Sequence, residues 1–173
     1  MKSSVALAAL LLCVSLAVQA GEKEALAGIK NFLWVNREIC TGGQPTLEEL
    51  EKLKAAGVRA VVNLRRPSEH AAAAEAAKAK ALGLRYFNIP VDSNAPTDAQ
   101  VEEFLRVLAD RQNRPVFIHC ASANRVGAFW LIRRVVVDSW TVEKAEQEAE
   151  RIGLANPRTR AFARDYLRRH KKD

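Results

Sequence analysis

Cysteine and aromatic residues are scarce in this chain of 173 residues, which has three cysteines and an aromatic content of 6%. So few cysteines in a chain of this length exclude a small fold that disulfide bonds hold together. The low aromatic content and the lack of a groove-reading motif give no indication of specific nucleic-acid binding. No Asn-x-Ser/Thr sequon is present, so the sequence gives no sign of N-glycosylation.

The sequence also lacks the patterns that would indicate a cofactor. It has no glycine-rich nucleotide-binding loop, and its histidines have no metal-ligand spacing with the cysteines, so we predict neither a nucleotide cofactor nor a metal. The formal net charge is +7, and much of the excess lies between Arg158 and Lys172. A solvated basic helix explains that cluster better than a specific polyanion site does.

Long apolar runs are absent except at the N-terminus. There Lys2 is followed by an apolar run from Val5 to Val18, and Val18-Gln19-Ala20 has the small-residue pattern of a signal-peptide cleavage site. The run is too short for a comfortable membrane span. Cys13 lies within it but lacks the small preceding residue expected before a lipidated cysteine, which disfavours a lipoprotein.

These features predict a signal peptide over residues 1–20, cleaved after Ala20, and a mature domain over residues 21–173. Removal of Lys2 lowers the net charge to about +6, and the remaining chain has the size of one domain with a core of its own. We expect a periplasmic or secreted protein that has no membrane span after cleavage. The sequence makes no prediction of its oligomeric state.

Predicted strands and helices alternate along the mature chain. The strands cover residues 32–35, 38–41, 58–64, 84–91 and 115–119. The helices cover residues 46–57, 69–82, 97–111, 126–137 and 141–153, and a last helix begins at residue 157. This alternation predicts an α/β domain with a mostly parallel central sheet flanked by helices.

The most informative segment runs from Pro115 to Gly127. A short apolar strand ends in His119-Cys120, four residues follow, and Arg125 then opens a strongly apolar helix. A thiol at a helix N-terminus faces unpaired backbone N–H groups and the positive end of the helix dipole, which favour the thiolate. The planar fork of arginine can hold two oxygens of a tetrahedral oxyanion. The segment predicts a nucleophilic cysteine beneath a bound phosphate-like group, although a buried structural cysteine is the simpler alternative.

Other polar residues follow neighbouring predicted strands, and ligands of parallel sheets bind at that edge. Asp92 is the best candidate for a general acid that protonates the leaving group, and a turn residue is its structural alternative. Arg65 and Arg66 either hold the substrate anion or are solvated loop charges. His119 points away from Cys120 because successive strand residues face opposite sides, so we expect it to orient the loop. A reversible Cys40–Cys120 disulfide is a weaker hypothesis.

With these residues the chain resembles the cysteine-dependent protein tyrosine phosphatase superfamily, nearest its dual-specificity-like members. The segments Ile29-Lys-Asn-Phe32, Thr41-Gly-Gly-Gln-Pro45 and Gly57-Val-Arg-Ala-Val-Val-Asn-Leu-Arg65 are similar to the bacterial phosphatase-like domain found with beta-lactamase-hydrolase-like proteins. The resemblance implies a phosphatase fold, Cys120 as nucleophile, Arg125 as phosphate ligand and Asp92 as general acid. It implies that the substrate is a phosphorylated protein or a small-molecule phosphate ester.

The predicted phosphate loop comprises Ala121, Ser122, Ala123, Asn124 and Arg125, with Arg65 as a further anion ligand. Most of the superfamily has five residues between cysteine and arginine, whereas this chain has four, a count that is also typical of the nearer bacterial family. Ala123 stands where that bacterial family usually has glycine. Val126 stands where many relatives have a Ser or Thr that helps the thiolate to leave, and Ser122 and Asn124 are the candidate substitutes. The four-residue loop keeps open a rhodanese-like sulfurtransferase that carries a persulfide on Cys120. A noncatalytic phosphate-binding module is the other alternative.

Overall fold

The computed structural model describes residues 26–170. The predicted signal peptide, residues 1–20, lies outside the described residues, as do residues 21–25 and 171–173. Within residues 26–170, no helix combines the length and the apolar character needed to cross a membrane.

In the described part of the chain, one sheet of five strands forms the centre of the fold. The strands are β1 (Leu33–Asn36), β2 (Ile39–Gly42), β3 (Ala60–Asn63), β4 (Arg85–Asn88) and β5 (Val116–His119). They lie in the order β1-β2-β5-β3-β4, with β1 antiparallel to β2 and all other pairs parallel. The predicted α/β fold with a mostly parallel sheet is therefore confirmed. In the central strand His119 is paired with Gly42 on one side and Asn63 on the other, so three strands end level.

Within residues 26–170, six α-helices cover the sheet. They are α1 (Leu47–Ala55), α2 (Ala72–Ala81), α3 (Asp98–Ala109), α4 (Asn124–Val136), α5 (Val142–Ile152) and α6 (Pro157–Arg169). The hydroxyls of Thr46, Thr97 and Thr141 accept hydrogen bonds from the third backbone N–H of the helix that each precedes. These caps satisfy N–H groups that have no partner inside a helix, which is why the three helices begin where the sequence predicts.

Two helix starts differ from the prediction. The helix expected to begin at Glu69 begins at Ala72, the first residue of α2. Glu69 instead closes a 3₁₀ turn over Pro67–Glu69, and His70 is extended at φ −163°. The helix expected to begin at Val126 begins two residues earlier, at Asn124, the first residue of α4. Ala123 adopts φ 64°, and its carbonyl accepts the hydrogen bond from Gly127 N–H. Arg125 consequently lies within the first turn of α4.

The core is divided by the sheet into two apolar clusters. Cys120 belongs to the cluster that α4 fills, whereas Cys40 belongs to the cluster on the other face, with Phe117. Cys40 is paired with Phe117 across the strands, and Cys120 lies three residues farther along, which corresponds to roughly 10 Å. Cysteines whose Cα atoms are more than about 7 Å apart cannot be bridged without backbone movement. The hypothesis of a Cys40–Cys120 disulfide is therefore wrong for this fold.

The basic cluster from Arg158 to Arg169 forms the outer side of α6. Its arginines bond to acidic or polar side chains, including Arg160 to Glu146 and Glu150, and Arg169 to Asp98 and Asp165. Much of the positive charge is thus paired locally, which agrees with a solvated basic helix. Surface pairs of this kind typically contribute less than about 1 kcal/mol each to stability.

Candidate active site

The segment between β5 and α4 is an open loop of backbone N–H groups. Asn31 Nδ2 donates to the Ser122 carbonyl at 3.0 Å, and Gln44 N–H donates to the Ala121 carbonyl at 3.5 Å. Each trans peptide points its N–H away from its carbonyl, so the N–H groups of Ser122 and Ala123 point to the opposite side. Within residues 26–170 the Ser122 N–H group donates to no protein atom, whereas the Ala123 N–H group faces the Gly42 carbonyl across the β-bridge between Gly43 and Ser122. With the first N–H groups of α4, the Ser122 N–H group forms an anion-binding loop.

Ala123 is the strained residue of this loop. Its φ of 64° lies in the left-handed region, and its methyl group is fully buried. A non-glycine residue there costs roughly 1–2 kcal/mol, which a glycine would avoid at the loss of the buried methyl. The position where the family usually has glycine thus does require positive φ.

Asn124 fastens the loop to the start of α6. Its Oδ1 accepts from the N–H groups of Ala155 and Asn156, both at 2.9 Å, and its Nδ2 donates to Thr159 Oγ1 at 2.9 Å. Its Oδ1 and one N–H of its Nδ2 are therefore used in positioning the loop, and the second N–H keeps Asn124 a candidate to replace the missing hydroxyl after Arg125. Ser122, which is half-buried, keeps its hydroxyl at the cavity wall.

A cavity of about 510 Å³ opens in front of the loop. Cys120 lines it although only 1% of the residue is exposed, which places the thiol at the base. The predicted residues Ala121, Ser122, Asn124 and Arg125 also line it, whereas the buried Ala123 does not. The remaining lining residues come from three other segments: Lys30, Asn31, Ser93, Gly153, Ala155 and Asn156. The fold therefore gathers the cysteine, the arginine and the loop at one end of the sheet.

Arg125 is fixed by a carboxylate that the sequence did not reveal. Glu69 accepts from both terminal nitrogens of Arg125, at 2.9 and 2.7 Å, and the Val91 carbonyl accepts a further bond at 2.7 Å. The hydrogen bond from Arg125 lowers the pKa of Glu69 to about 2, against the partial burial that opposes it. Burial by itself would lower the pKa of Arg125, but Glu69 and the neighbouring Cys120 raise it. The guanidinium is thus charged and held in one orientation.

Asp92 lies beside the cavity and not in its wall. Its Oδ1 accepts from Asn94 N–H at 2.8 Å, which is the predicted turn, and its Oδ2 accepts from Arg66 at 2.7 Å. The next residue, Ser93, does line the cavity. A proton transfer from Asp92 to a bound leaving group therefore requires the loop at residues 92–96 to turn the carboxyl inward.

Arg65 points into a polar network behind the loop. It donates to Gln44 Oε1 at 3.0 Å, and Gln44 Nε2 donates to Glu75 Oε2 at 2.8 Å. Glu75 Oε1 lies 2.7 Å from His119 Nε2, and His119 is fully buried. Burial alone would raise the pKa of Glu75, but its bonds to His119 and Gln44 lower it. Arg65 does not line the cavity, and its geometry is that of a structural residue. His119 faces away from Cys120, as predicted.

The residues that the sequence did not single out are mostly those of the cavity wall and its supports, namely Glu69, Lys30, Asn31, Ser93, Gly153 and Asn156. Glu69 follows the Arg65-Arg66 pair in a loop at the carboxyl ends of the strands. An acidic residue close to two arginines at that edge was the one sequence feature that could have indicated its role. Within residues 26–170, no group of three or more His, Cys, Asp or Glu side chains is placed to hold a metal ion.

We expect Glu69→Gln to lower kcat/KM for phosphate esters roughly 100-fold, because a neutral amide cannot accept from both arms of Arg125. Steady-state hydrolysis of para-nitrophenyl phosphate measures the effect. Glu102→Gln, at an exposed position of α3, is the matched control and should behave as the wild type. Equal activity of the two variants would mean that Arg125 needs no fixed orientation.

Comparison with known proteins gives a consistent group of relatives. The family model for a DSP-PTPase phosphatase fused to NAD+ kinase matches residues 27–165. A beta-lactamase hydrolase-like protein from Xylella fastidiosa is 29% identical over 106 residues, which are 59% of this chain and 24% of that protein. The dual specificity protein phosphatase TpbA from Pseudomonas aeruginosa is 32% identical over 87 residues, 49% of this chain and 40% of that protein. The matched regions thus make up less than half the length of either relative.

Among solved structures, a DUF442 phosphatase-family protein from Shewanella putrefaciens superposes with a TM-score of 0.72. It is 25% identical, and the match covers 87% of this chain and 99% of that one. TpbA in complex with phosphotyrosine superposes with a TM-score of 0.61 at 24% identity, covering 80% of this chain and 83% of that one. At that identity the second match supports the fold alone.

Proposed function

We propose that this chain, which belongs to the dual-specificity-like protein tyrosine phosphatase family and is a cysteine-dependent phosphatase, hydrolyses phosphomonoesters through a phosphocysteine on Cys120. The observation that carries the proposal is the loop of backbone N–H groups around Cys120, with Arg125 held beside it by Glu69. Such a loop complements three oxygens of a phosphoryl group, and the arginine can bind two of them.

The reaction has two steps. In the first, the Cys120 thiolate attacks phosphorus, the bond from phosphorus to the ester oxygen breaks, and the departing alkoxide takes a proton from Asp92. In the second, water attacks the phosphocysteine, its proton passes to the Asp92 carboxylate, and the products are inorganic phosphate and the restored thiolate. Arg125 and the loop N–H groups stabilise the charge on the phosphoryl oxygens in both steps.

The test is a substrate panel on the mature protein, with phosphate esters in one arm and thiosulfate in the other. We expect phosphate release from the esters, loss of release in Cys120→Ser, and a phosphorylated Cys120 on rapid acid quench and mass spectrometry. A wild-type protein that releases no phosphate from any ester would overturn the proposal.

Asp92→Asn tests the acid separately. It should slow hydrolysis of alkyl phosphates by roughly 100-fold and that of activated aryl phosphates much less, because a good leaving group needs no proton. Asp98→Asn is the matched control, since Asp98 is held by Arg169 at the far end of α6. Equal slowing of both ester classes would show that Asp92 does not act as the acid.

A sulfurtransferase is the second candidate, favoured by the position of Asp92 outside the cavity wall. Transfer of a sulfane sulfur from thiosulfate to the Cys120 thiolate releases sulfite and needs no acid. In that case thiocyanate would form from thiosulfate and cyanide, and Asp92→Asn would leave its rate unchanged.

We further propose that the protein is exported and acts in the periplasm, because residues 1–20 have the composition of a signal peptide. Expression of the full chain in a bacterial host, followed by fractionation and N-terminal sequencing, tests this. A periplasmic product that begins at Gly21 is expected. A cytoplasmic product that retains Lys2 would contradict the proposal.

A further inference from the structure

Lys30 is the second cation of the cavity, and it plays no part in the mechanism above. It is exposed at the cavity wall, and within residues 26–170 its ammonium group makes no ion pair or hydrogen bond. Arg125, by contrast, is bound on both arms by Glu69. No carboxylate is among the described residues that line the cavity. An unpaired cation in such a wall attracts an anionic group of the ligand.

The backbone of Lys30 is held tightly against the phosphate loop. Gly43 N–H donates to the Lys30 carbonyl at 2.7 Å, and a Cβ on Gly43 would lie only 3.1 Å from Lys30 Cβ. The next residue, Asn31, is held at φ 53° and bonds to the Ser122 carbonyl at 3.0 Å. A non-glycine residue in the left-handed region is retained where the surrounding contacts require it. These contacts and the left-handed turn at Asn31 therefore fix the position of the Lys30 backbone relative to the loop.

The rest of the cavity wall combines polar side chains with small residues and contains no aromatic side chain among the described residues. Asn31, Ser93 and Asn156 supply hydrogen-bonding groups. The ring of an aryl phosphate would therefore find no stacking partner in this wall, whereas the hydroxyl groups of a polyol would find donors and acceptors. The volume of about 510 Å³ suits a small molecule.

We propose that Lys30 forms a second anion subsite, and that the preferred substrates are small polar phosphomonoesters that carry a second anionic group. The inference rests on the proposed phosphatase function. One phosphoryl group lies over Cys120 in the loop, and the second group, a phosphate or a carboxylate, is bound by the Lys30 ammonium. Asn31, Ser93 and Asn156 contact the polar body between the two groups.

Matched pairs of esters test the subsite and separate the two kinds of anion. Fructose 1,6-bisphosphate against fructose 6-phosphate isolates a second phosphate, and 3-phosphoglycerate against glycerol 3-phosphate isolates a carboxylate. In at least one pair, we expect kcat/KM to be roughly fivefold higher for the ester that carries the second anionic group. This preference should fall with added salt, because a partly exposed charge pair is screened.

Lys30→Met keeps the aliphatic stem and removes the charge, so it should bring the ratio within each pair close to one, while Lys30→Arg should retain it. Lys52→Met, at an exposed position of α1 outside the cavity, removes the same charge elsewhere and should keep the wild-type ratio.

Wild-type hydrolysis with no preference in either pair, or a preference that survives Lys30→Met, overturns the subsite and leaves the phosphatase function intact. A preference for phosphotyrosine peptides over every small ester overturns the small-molecule assignment. Absence of hydrolysis from all esters overturns the phosphatase function itself.

Discussion

Replacement of Arg125 by lysine is expected to reduce kcat/KM for phosphate esters nearly as much as replacement by alanine, on the order of 1,000-fold. Lysine keeps the positive charge but has no planar fork. Arg125 bonds to Glu69 through both terminal nitrogens and to the Val91 carbonyl. A single ammonium cannot make those bonds and also grip two phosphoryl oxygens.

Steady-state kinetics with para-nitrophenyl phosphate, together with the affinity for vanadate or another tetrahedral oxyanion, measures the loss. Arg106→Lys, on the exposed side of α3, is the matched control and should retain wild-type kinetics. Because Arg125 is 4% exposed, a thermal melt of each variant is needed to confirm folding. A lysine variant with most of the wild-type activity would mean that Arg125 acts as a general counter-charge.

The sequence predicted the parts of the site that follow one another along the chain. Cys120 and Arg125 are separated by a short loop between a strand and a helix, so local geometry alone brings them together. The replacement of a family glycine by Ala123 raised the question of whether the backbone there needs positive φ, and its φ is 64°. The edge at which polar residues meet also followed from the parallel order of the strands.

The partners of those residues could not be predicted, because they depend on where distant side chains end. Glu69 lies 56 positions before Arg125, and it reaches the guanidinium only because the 3₁₀ turn at Pro67–Glu69 delays the start of α2. The alanine-rich composition favoured a longer helix there. Lys30 reaches the cavity through the left-handed turn at Asn31, and no periodicity in the sequence marks that turn.

The two cysteines lie in apolar clusters on opposite faces of the sheet. Cys40 and Cys120 are both buried, which suits either a disulfide or two core thiols. Strand register determines which side chains share a face, and the sequence predicts strands without their register. Burial also raises the pKa of the Cys40 thiol well above its usual value, so Cys40 is an unreactive core residue.

A single methyl group at Gly153 should lower both stability and activity. It ends α5 at φ 135°, and a Cβ there would lie 3.1 Å from the Ser122 carbonyl and 3.2 Å from Ala123 Cβ. We expect Gly153→Ala to lower the free energy of unfolding by about 3 kcal/mol, through strain at this φ together with the close contacts. In a domain of this size that corresponds to a fall of roughly 10 °C in Tm.

Gly57→Ala separates the two causes. Gly57 also has positive φ, at 85°, but a Cβ there would meet no atom within 4 Å. It should cost only about 1 kcal/mol and leave kcat/KM unchanged. Gly153→Ala should in addition lower kcat/KM by more than about tenfold in the folded protein, because the phosphate loop must move by a few tenths of an ångström to admit the methyl group. Thermal melts and kinetics well below Tm measure the two effects independently. If the variants lose equal stability and Gly153→Ala keeps full activity, the loop does not depend on its contact with the end of α5.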